Sequence, residues 1–156
     1  MVYASADQRV LGYLGRALSL ELSAVQLYST QARLTATWGL TEAADRLSRE
    51  AREEMGHVER IIARMLALGA APNASQLRPV RLGATLEALL QEDQAFEQEL
   101  VQLYTEAASH CARQGDHDSR LFFATLLEEE REHARELAAW IEELKRPAAS
   151  AGTDGR

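Results

Sequence analysis

"REEMGHVER", residues 52–60, places Glu54 and His57 three positions apart in a segment that is otherwise strongly charged. Residues three apart on an α-helix share one face, so these two side chains point in the same direction. Met55 is turned by about 100° from Glu54 and points elsewhere. A single Glu-x-x-His pair is weak evidence, because in a glutamate-rich helix such a pair usually faces solvent. Its meaning depends on which side of the helix is buried.

Four long helical patterns, separated by helix breakers, account for most of the chain. They run over residues 7–37, 41–69, 85–114 and 116–146. We expect Thr41 to cap the second helix and Gly69 to end it. Between the second and third patterns, "AAPNASQLRPVRLG" (residues 70–83) contains two prolines and is typical of an extended connection. Two short links and one long link predict an all-α fold, an antiparallel four-helix bundle with one long crossover.

Each helix carries a seam of residues spaced three and four apart, with apolar ends and a polar middle. The four seams are Leu11, Leu14, Leu18, Glu21, Val25, Tyr28 and Ala32; Leu47, Glu50, Glu54, His57, Ile61, Met65 and Leu68; Leu86, Leu90, Asp93, Glu97, Leu100, Tyr104 and Ala107; and Phe123, Leu126, Glu130, His133, Leu137, Trp140 and Leu144. Glu54 and His57 are therefore predicted to face inward, at mid-height of the bundle.

The chain repeats itself at an offset of 76 residues. "ELSAVQLY" (21–28) aligns with "EQELVQLY" (97–104), so Glu21 matches Glu97 and Tyr28 matches Tyr104. The same offset takes the pair at 54 and 57 to Glu130 and His133. The order along the chain is Glu, Glu-x-x-His, Glu, Glu-x-x-His, with one element on each helix.

A core that buries four carboxylates needs compensation, because each desolvated charge loses several kcal/mol. Two divalent cations would neutralise the four carboxylates, and neutral imidazoles would supply nitrogen ligands. This ligand set, in this helical order, is that of di-iron and di-manganese carboxylate bundles. The predicted ligands are Glu21, Glu54, His57, Glu97, Glu130 and His133.

Four further polar residues lie on the same seams. Tyr28 and Tyr104 either pack in the core with satisfied hydroxyls or hydrogen-bond a ligand carboxylate. Glu50 and Asp93 either support the ligands or line a path for iron. The residue pattern leaves these alternatives open.

Composition excludes several other classes of protein. The formal net charge of the 156 residues is −7 and no basic block stands out, which argues against nucleic-acid binding. Cys111 is the only cysteine, so no intramolecular disulfide or thiolate metal cluster is expected. No signal peptide and no apolar run long enough for a membrane span is evident. These features favour a cytoplasmic protein.

The sequence resembles the bacterioferritins over about residues 7–146, most clearly in "LELSAVQLYSTQARLTATWGL", "EEMGHVERIIARMLALG" and "LLEEEREHARELAAWIEEL". The resemblance implies a ferritin-like bundle (residues 1–146) that oxidises Fe(II) at a centre of two iron ions and stores Fe(III). It carries the family's ferroxidase ligands onto the six residues above, with Glu54 and Glu130 as the bridging pair. Tyr28 falls on the family's tyrosine beside the site. The family also implies homodimers within a 24-subunit cage and a ferredoxin-type reductant.

Met55 falls on the family's haem-ligand methionine. There, haem b lies on a two-fold dimer axis with one methionine from each subunit, which suits a side chain that points away from the metal core. The alternative is that Met55 is a flexible apolar filler of the dimer interface. Other outer positions that such a dimer would cover are apolar: Trp38, Leu20, Leu27 and Leu34.

The chain departs from the family at its C-terminus, where the bacterioferritins have a short fifth helix near the four-fold axes of the cage. Here Pro147 and a small, polar stretch occupy residues 147–156, which we expect to be flexible. Two other functions remain as alternatives: a di-iron oxidase or oxygenase, and a haem-bearing electron-transfer subunit that stores no mineral. An oxygenase would need an apolar pocket beside the metals.

Overall fold

The computed structural model describes residues 7–73 and 75–146. Residues 147–156, which the sequence predicts to be flexible, lie outside the described residues. The described chain forms four long helices: α1 Gln8–Thr37, α2 Thr41–Ala67, α3 Leu86–Gln114 and α4 His117–Lys145. The predicted helices are confirmed to within two residues at each end. None of these four helices combines the length and the apolar content that crossing a membrane requires.

Contacts between helix ends show how the helices are arranged. His110 near the end of α3 lies 2.9 Å from Asp7 at the start of α1, so these two helices are antiparallel neighbours. At the same end of the bundle, Arg64 of α2 donates a hydrogen bond to Ser119 of α4 over 3.0 Å. The bundle is therefore the predicted antiparallel one, in which α1 contacts α2 and α3, and α4 contacts α3 and α2.

The segment between α2 and α3 runs the length of the bundle, as the sequence predicts. It is held against α1 by two backbone N–H groups: Gln76 donates to Ser19 Oγ over 3.1 Å and Arg78 to Ser23 Oγ over 2.9 Å. The Arg78 side chain pairs with Glu99 of α3. The crossover thus covers the groove between α1 and α3.

Three of the four helices begin at a side-chain cap, and α2 does not. The side chains of Asp7, Thr85 and Asp116 each accept a backbone hydrogen bond at the start of α1, α3 and α4. The prediction that Thr41 caps α2 is wrong: Thr41 is the first helical residue, and Leu40 precedes it without a side-chain hydrogen bond. A tight turn with Gly39 at φ 78° brings the chain from α1 directly into α2.

The predicted seams face the core with few exceptions. Leu144 is 40% exposed, because it lies on the last turn of α4, beyond the end of the packed core. Five other seam residues are only half-buried: Leu11, Val25, Glu50, Leu68 and Leu86. Leu27, expected to need a partner subunit to cover it, is already buried within its own chain.

Candidate metal centre

The structure brings all six predicted ligands together at mid-height of the bundle. Every helix contributes near its middle, and the seams are apolar toward both ends of the bundle. All six are buried, with 0–7% of each residue exposed: Glu21, Glu54, His57, Glu97, Glu130 and His133.

The 76-residue repeat produces the same contacts twice. His57 Nδ1 lies 2.8 Å from Glu130 Oε1 and 3.4 Å from Glu54 Oε2. His133 Nδ1 lies 2.8 Å from Glu54 Oε1 and 3.4 Å from Glu130 Oε2. The two imidazole rings are stacked with their centroids 6.0 Å apart. The sequence repeat is therefore a local two-fold relation between the α1–α2 and α3–α4 halves of the centre.

The six side chains form two overlapping groups of potential ligands. In each group the ligand atoms lie within 4.8 Å of one another. The groups are Glu21, Glu54, His57 and Glu130, and Glu54, Glu97, Glu130 and His133. Glu54 and Glu130 belong to both groups, so they occupy the positions from which a carboxylate can bridge two cations.

The carboxylate oxygens fit two divalent cations. One oxygen of each of the four carboxylates, Oε2, is buried and has no hydrogen-bond partner (Glu21, Glu54, Glu97 and Glu130). Buried polar atoms are normally paired, so four orphaned oxygens in one place require an explanation. Carboxylate oxygen and imidazole nitrogen suit iron or manganese better than metals that prefer thiolates. The donor set therefore fits the two iron ions that the sequence predicts.

Two exposed carboxylates hold the outer nitrogens of the histidines. His133 Nε2 lies 2.6 Å from Glu53 Oε2, and His57 Nε2 lies 3.5 Å from Glu129 Oε2. With cations bound, such partners would keep the imidazole proton on Nε2, so that the Nδ1 lone pair faces the cation. Neither residue is among those predicted from the sequence, although the same 76-residue offset relates Glu53 to Glu129.

Two buried tyrosines donate hydrogen bonds to the outer carboxylates, Glu21 and Glu97, each of which belongs to only one ligand group. The Tyr28 hydroxyl donates to Glu97 Oε1 over 2.6 Å, and the Tyr104 hydroxyl donates to Glu21 Oε1 over 2.7 Å. Both tyrosines are fully buried. Of the two alternatives that the sequence left open, the hydrogen bond to a carboxylate is the one found at both positions.

A cluster of three polar side chains adjoins one of the two halves of the centre and has no counterpart in the other half. Asp93 is buried and neither of its oxygens has a hydrogen-bond partner; Gln31 Oε1 is also unpaired, and Glu50 is half-buried. Burial raises the pKa of Asp93 well above its usual value, which favours the neutral acid. The positions that the repeat relates to Gln31, Glu50 and Asp93 are Ala107, Leu126 and Ala17. The two halves of the centre therefore differ beyond their ligands.

Burial and mutual contact shift the ionisation of the carboxylates and imidazoles. Burial, reinforced by the charge of Glu21, raises the pKa of Glu54 to about 8. Burial and the charge of Glu54 likewise raise the pKa of Glu130 to about 7. Burial lowers the pKa of His57, but its hydrogen bonds with Glu130 and other carboxylates outweigh burial and raise that pKa to about 12. The metal-free centre thus holds protons that a bound cation must displace.

Met55 lies outside this centre, as the sequence predicts. It is 41% exposed on the opposite side of α2 and lines a surface groove of about 560 Å³ between α1 and α2. Val25 and several alanines form the apolar part of the groove, and Arg33 and Arg52 lie at it.

Comparison with known proteins agrees with this architecture. The sequence model of the ferritin-like domain matches residues 11–146. Bacterioferritin of Rhodobacter capsulatus is 39% identical over 127 residues, which are 81% of this chain and 79% of that protein. Bacterial ferritin of Synechocystis sp. is 34% identical over 134 residues, which are 85% and 83% of the two chains.

A solved structure agrees as well. The structure of Rhodobacter capsulatus bacterioferritin superposes with a TM-score of 0.87 at 37% identity and covers 91% of this chain and 89% of its own. That structure has a metal-free dinuclear site and a haem iron in a crystallographic special position. The chain described here belongs to the ferritin-like family and, within it, to the iron-storing bacterioferritins.

Proposed function

We propose that this chain oxidises Fe(II) to Fe(III) at the six-residue centre and passes the product to a mineral store. The observation that carries the proposal is the pair of overlapping ligand groups that share Glu54 and Glu130. In this proposal those two carboxylates bridge the two iron ions. Glu21 and His57 complete one iron site, and the remaining Glu97 and His133 complete the other.

Iron is the substrate of this reaction, and the protein supplies positions and charge. Each Fe(II) gives up one electron, so a pair can reduce one O₂ to H₂O₂, or one H₂O₂ to two waters, with uptake of two protons in either case. The four carboxylates offset the positive charge of two divalent ions in a buried site. Glu53 and Glu129 hold the outer sides of the imidazoles, so that each Nδ1 stays directed at the centre.

The grooves of the structure favour this reaction over oxidation of an organic substrate. Three grooves of about 810, 560 and 480 Å³ lie on the surface. None of the six predicted ligands lines any of these three. An oxygenase would need such a space next to the metals so that its substrate could reach the oxidant.

The test is stopped-flow absorbance after Fe(II) is mixed with aerobic, metal-free protein. Replacing both Glu54 and Glu130 with Ala should abolish the fast phase, because the two ions lose their shared carboxylates. A matched control replaces exposed glutamates of the same two helices, Glu59→Ala and Glu128→Ala, and should keep the fast phase. An unchanged fast phase in the first variant would sink the assignment. Iron content after prolonged loading separates storage, at hundreds of ions per assembly, from an oxidase with two per chain.

We also propose that Met55 is an axial ligand of haem b between two copies of the chain. The thioether is exposed in a groove lined by both apolar and polar side chains, and a two-fold axis would place two of them on opposite sides of one iron. Thioether sulfur is a soft, neutral ligand that needs no deprotonation. Arg33 and Arg52 at the groove suit the propionate carboxylates of haem.

The wider assembly follows from the family. Bacterioferritins are oligomeric cages, and we propose that this chain forms homodimers and, from them, the 24-subunit cage in which mineral collects. A ferredoxin-type reductant that returns Fe(III) to Fe(II) remains a prediction, as does a cytoplasmic location.

A further inference from the structure

The Tyr104 hydroxyl contacts a predicted ligand on a neighbouring helix of the bundle. Tyr104 lies on α3 and Glu21 on α1, and their oxygens are 2.7 Å apart, with both residues fully buried. The repeat gives a reciprocal contact, in which Tyr28 of α1 donates to Glu97 of α3 over 2.6 Å. Each outer carboxylate therefore receives one phenolic hydrogen bond from the helix that carries the other.

We propose that Tyr104 is a positioning residue for Glu21, and that it makes the Glu21 half of the centre equivalent to the Glu97 half. This inference rests on the proposed function of the six-residue centre. The hydrogen bond engages Glu21 Oε1, whereas Oε2 of the same carboxylate has no partner. A carboxylate held at one oxygen cannot rotate freely, so the other oxygen stays available for a cation.

The contacts distinguish this role from simple core packing. A buried tyrosine needs one hydrogen-bond acceptor, and a backbone carbonyl would satisfy it. Both tyrosines at this level instead donate to a carboxylate of the centre, and in each case it is one of the two that are not shared between the ligand groups. The two shared carboxylates, Glu54 and Glu130, make the shortest contacts with the histidines, 2.8 Å each, and accept from neither tyrosine. Glu21 Oε1, which accepts from Tyr104, also lies 3.2 Å from His57 Nδ1. The hydroxyls thus serve the carboxylates that hold one ion each.

A tyrosine-to-phenylalanine change isolates the hydroxyl from the ring. The Tyr104 ring packs with its centroid 6.3 Å from that of Phe123, and phenylalanine retains this contact. Tyr13 provides a matched control, because its ring lies 6.3 Å from the same Phe123, whereas no hydrogen bond joins its hydroxyl to any of the six predicted ligands. Tyr28→Phe is the reciprocal variant.

The experiment is a titration of the metal-free, full-length protein with Co(II), followed by visible absorption and equilibrium dialysis. Wild type and Tyr13→Phe should bind two Co(II) per chain. In Tyr104→Phe, one site should keep its affinity and the other should bind roughly 10-fold to 100-fold more weakly with an altered absorption spectrum, the range typical of lost partners to metal ligands. Tyr28→Phe should show the same pattern, and the double variant should weaken both sites.

Three results would overturn the inference. Two wild-type-like sites in Tyr104→Phe would remove the positioning role and leave the proposed function intact. Equal weakening of both sites, with a lower melting temperature of the metal-free protein by circular dichroism, would show that the hydroxyl acts only on the fold. No Co(II) binding by wild type would overturn the inference together with the proposed centre.

Discussion

The side chains of Met55 and the predicted metal ligands lie on different sides of α2, although they are neighbours in sequence. Glu54 and His57 point into the centre, whereas Met55 is exposed on the other side. The proposed haem site and the six-residue centre would therefore share a helix but no side chain. Substitution at one should leave the other unchanged unless the helix itself is disturbed.

Haem binding should depend on the thioether of Met55. Met55→Leu removes the thioether but keeps an apolar side chain of similar size, so the protein should lose about one haem per two chains and retain fast Fe(II) oxidation. Reconstitution with haem b and a Soret titration of both proteins measures the first effect, and stopped-flow absorbance measures the second. Equal haem binding by the two proteins would make Met55 interface packing alone.

At the residue scale, the sequence predicts the ligands but not how they are supported. Helical periodicity and the 76-residue repeat are properties of the chain itself, so the positions of Glu54 and Glu130 follow from them. The partners Glu53 and Glu129 adjoin those ligands in sequence, and nothing in an acidic helix distinguishes them from solvated residues. Which oxygen of Glu21 receives the Tyr104 hydroxyl depends on the lateral distance between α1 and α3, which no sequence spacing encodes.

At the scale of the helices, the prediction succeeds where a single residue controls the backbone. Gly115 adopts φ 69° after α3, and Gly69 adopts φ 78° after α2, the left-handed conformation that ends a helix. The predicted start of α2 at residue 41 is confirmed, but the prediction that Thr41 is its cap is wrong, although threonine is a common cap. Here the Gly39 turn leads directly into the helix, and Leu40 precedes it without a side-chain cap.

A pair of glycine substitutions tests this control of the backbone. Gly115→Ala should lower the free energy of unfolding by about 1 kcal/mol, because the left-handed conformation is strained for alanine. A Cβ there would meet no atom within 4 Å, so conformation is the only cause. Gly12→Ala, in the body of α1 and equally unobstructed, should instead raise it by about 0.5–1 kcal/mol. Urea unfolding of both variants measures the difference, and changes of the same sign would contradict the explanation.

Across the whole molecule, large apolar side chains are exposed on several elements. Trp38 is 37% exposed, Leu40 38% and Met55 41%, on α1, α2 or the turn between them, and Leu66, Leu77, Leu82, Leu121 and Leu144 are exposed as well. Light scattering after size exclusion should therefore find dimers or larger species at micromolar concentration, because association covers this apolar surface. A stable monomer with no larger species would remove the cavity that storage requires.

The stability of the metal-free protein should depend on pH. The folded state raises the pKa of Glu54 from 4.5 to about 8, and that of His57 from 6.5 to about 12. Between about pH 6.5 and pH 8 the folded chain therefore holds protons that the unfolded chain has released. Folding stability must fall as pH rises through this window, by about 1.4 kcal/mol per pH unit for each such proton.

Calorimetric melts of the metal-free protein from about pH 6 to pH 8 should show a falling melting temperature, and Glu54→Gln should flatten that fall because it removes one of the protons. Saturating Mn(II) should reverse the trend: the ions displace the protons, so their stabilisation grows as pH rises. A pH indicator in weakly buffered solution should record proton release as Mn(II) is added. A melting temperature that is constant across this range in the metal-free protein, with no proton release on binding, would mean that the buried carboxylates and imidazoles are not coupled as their contacts require.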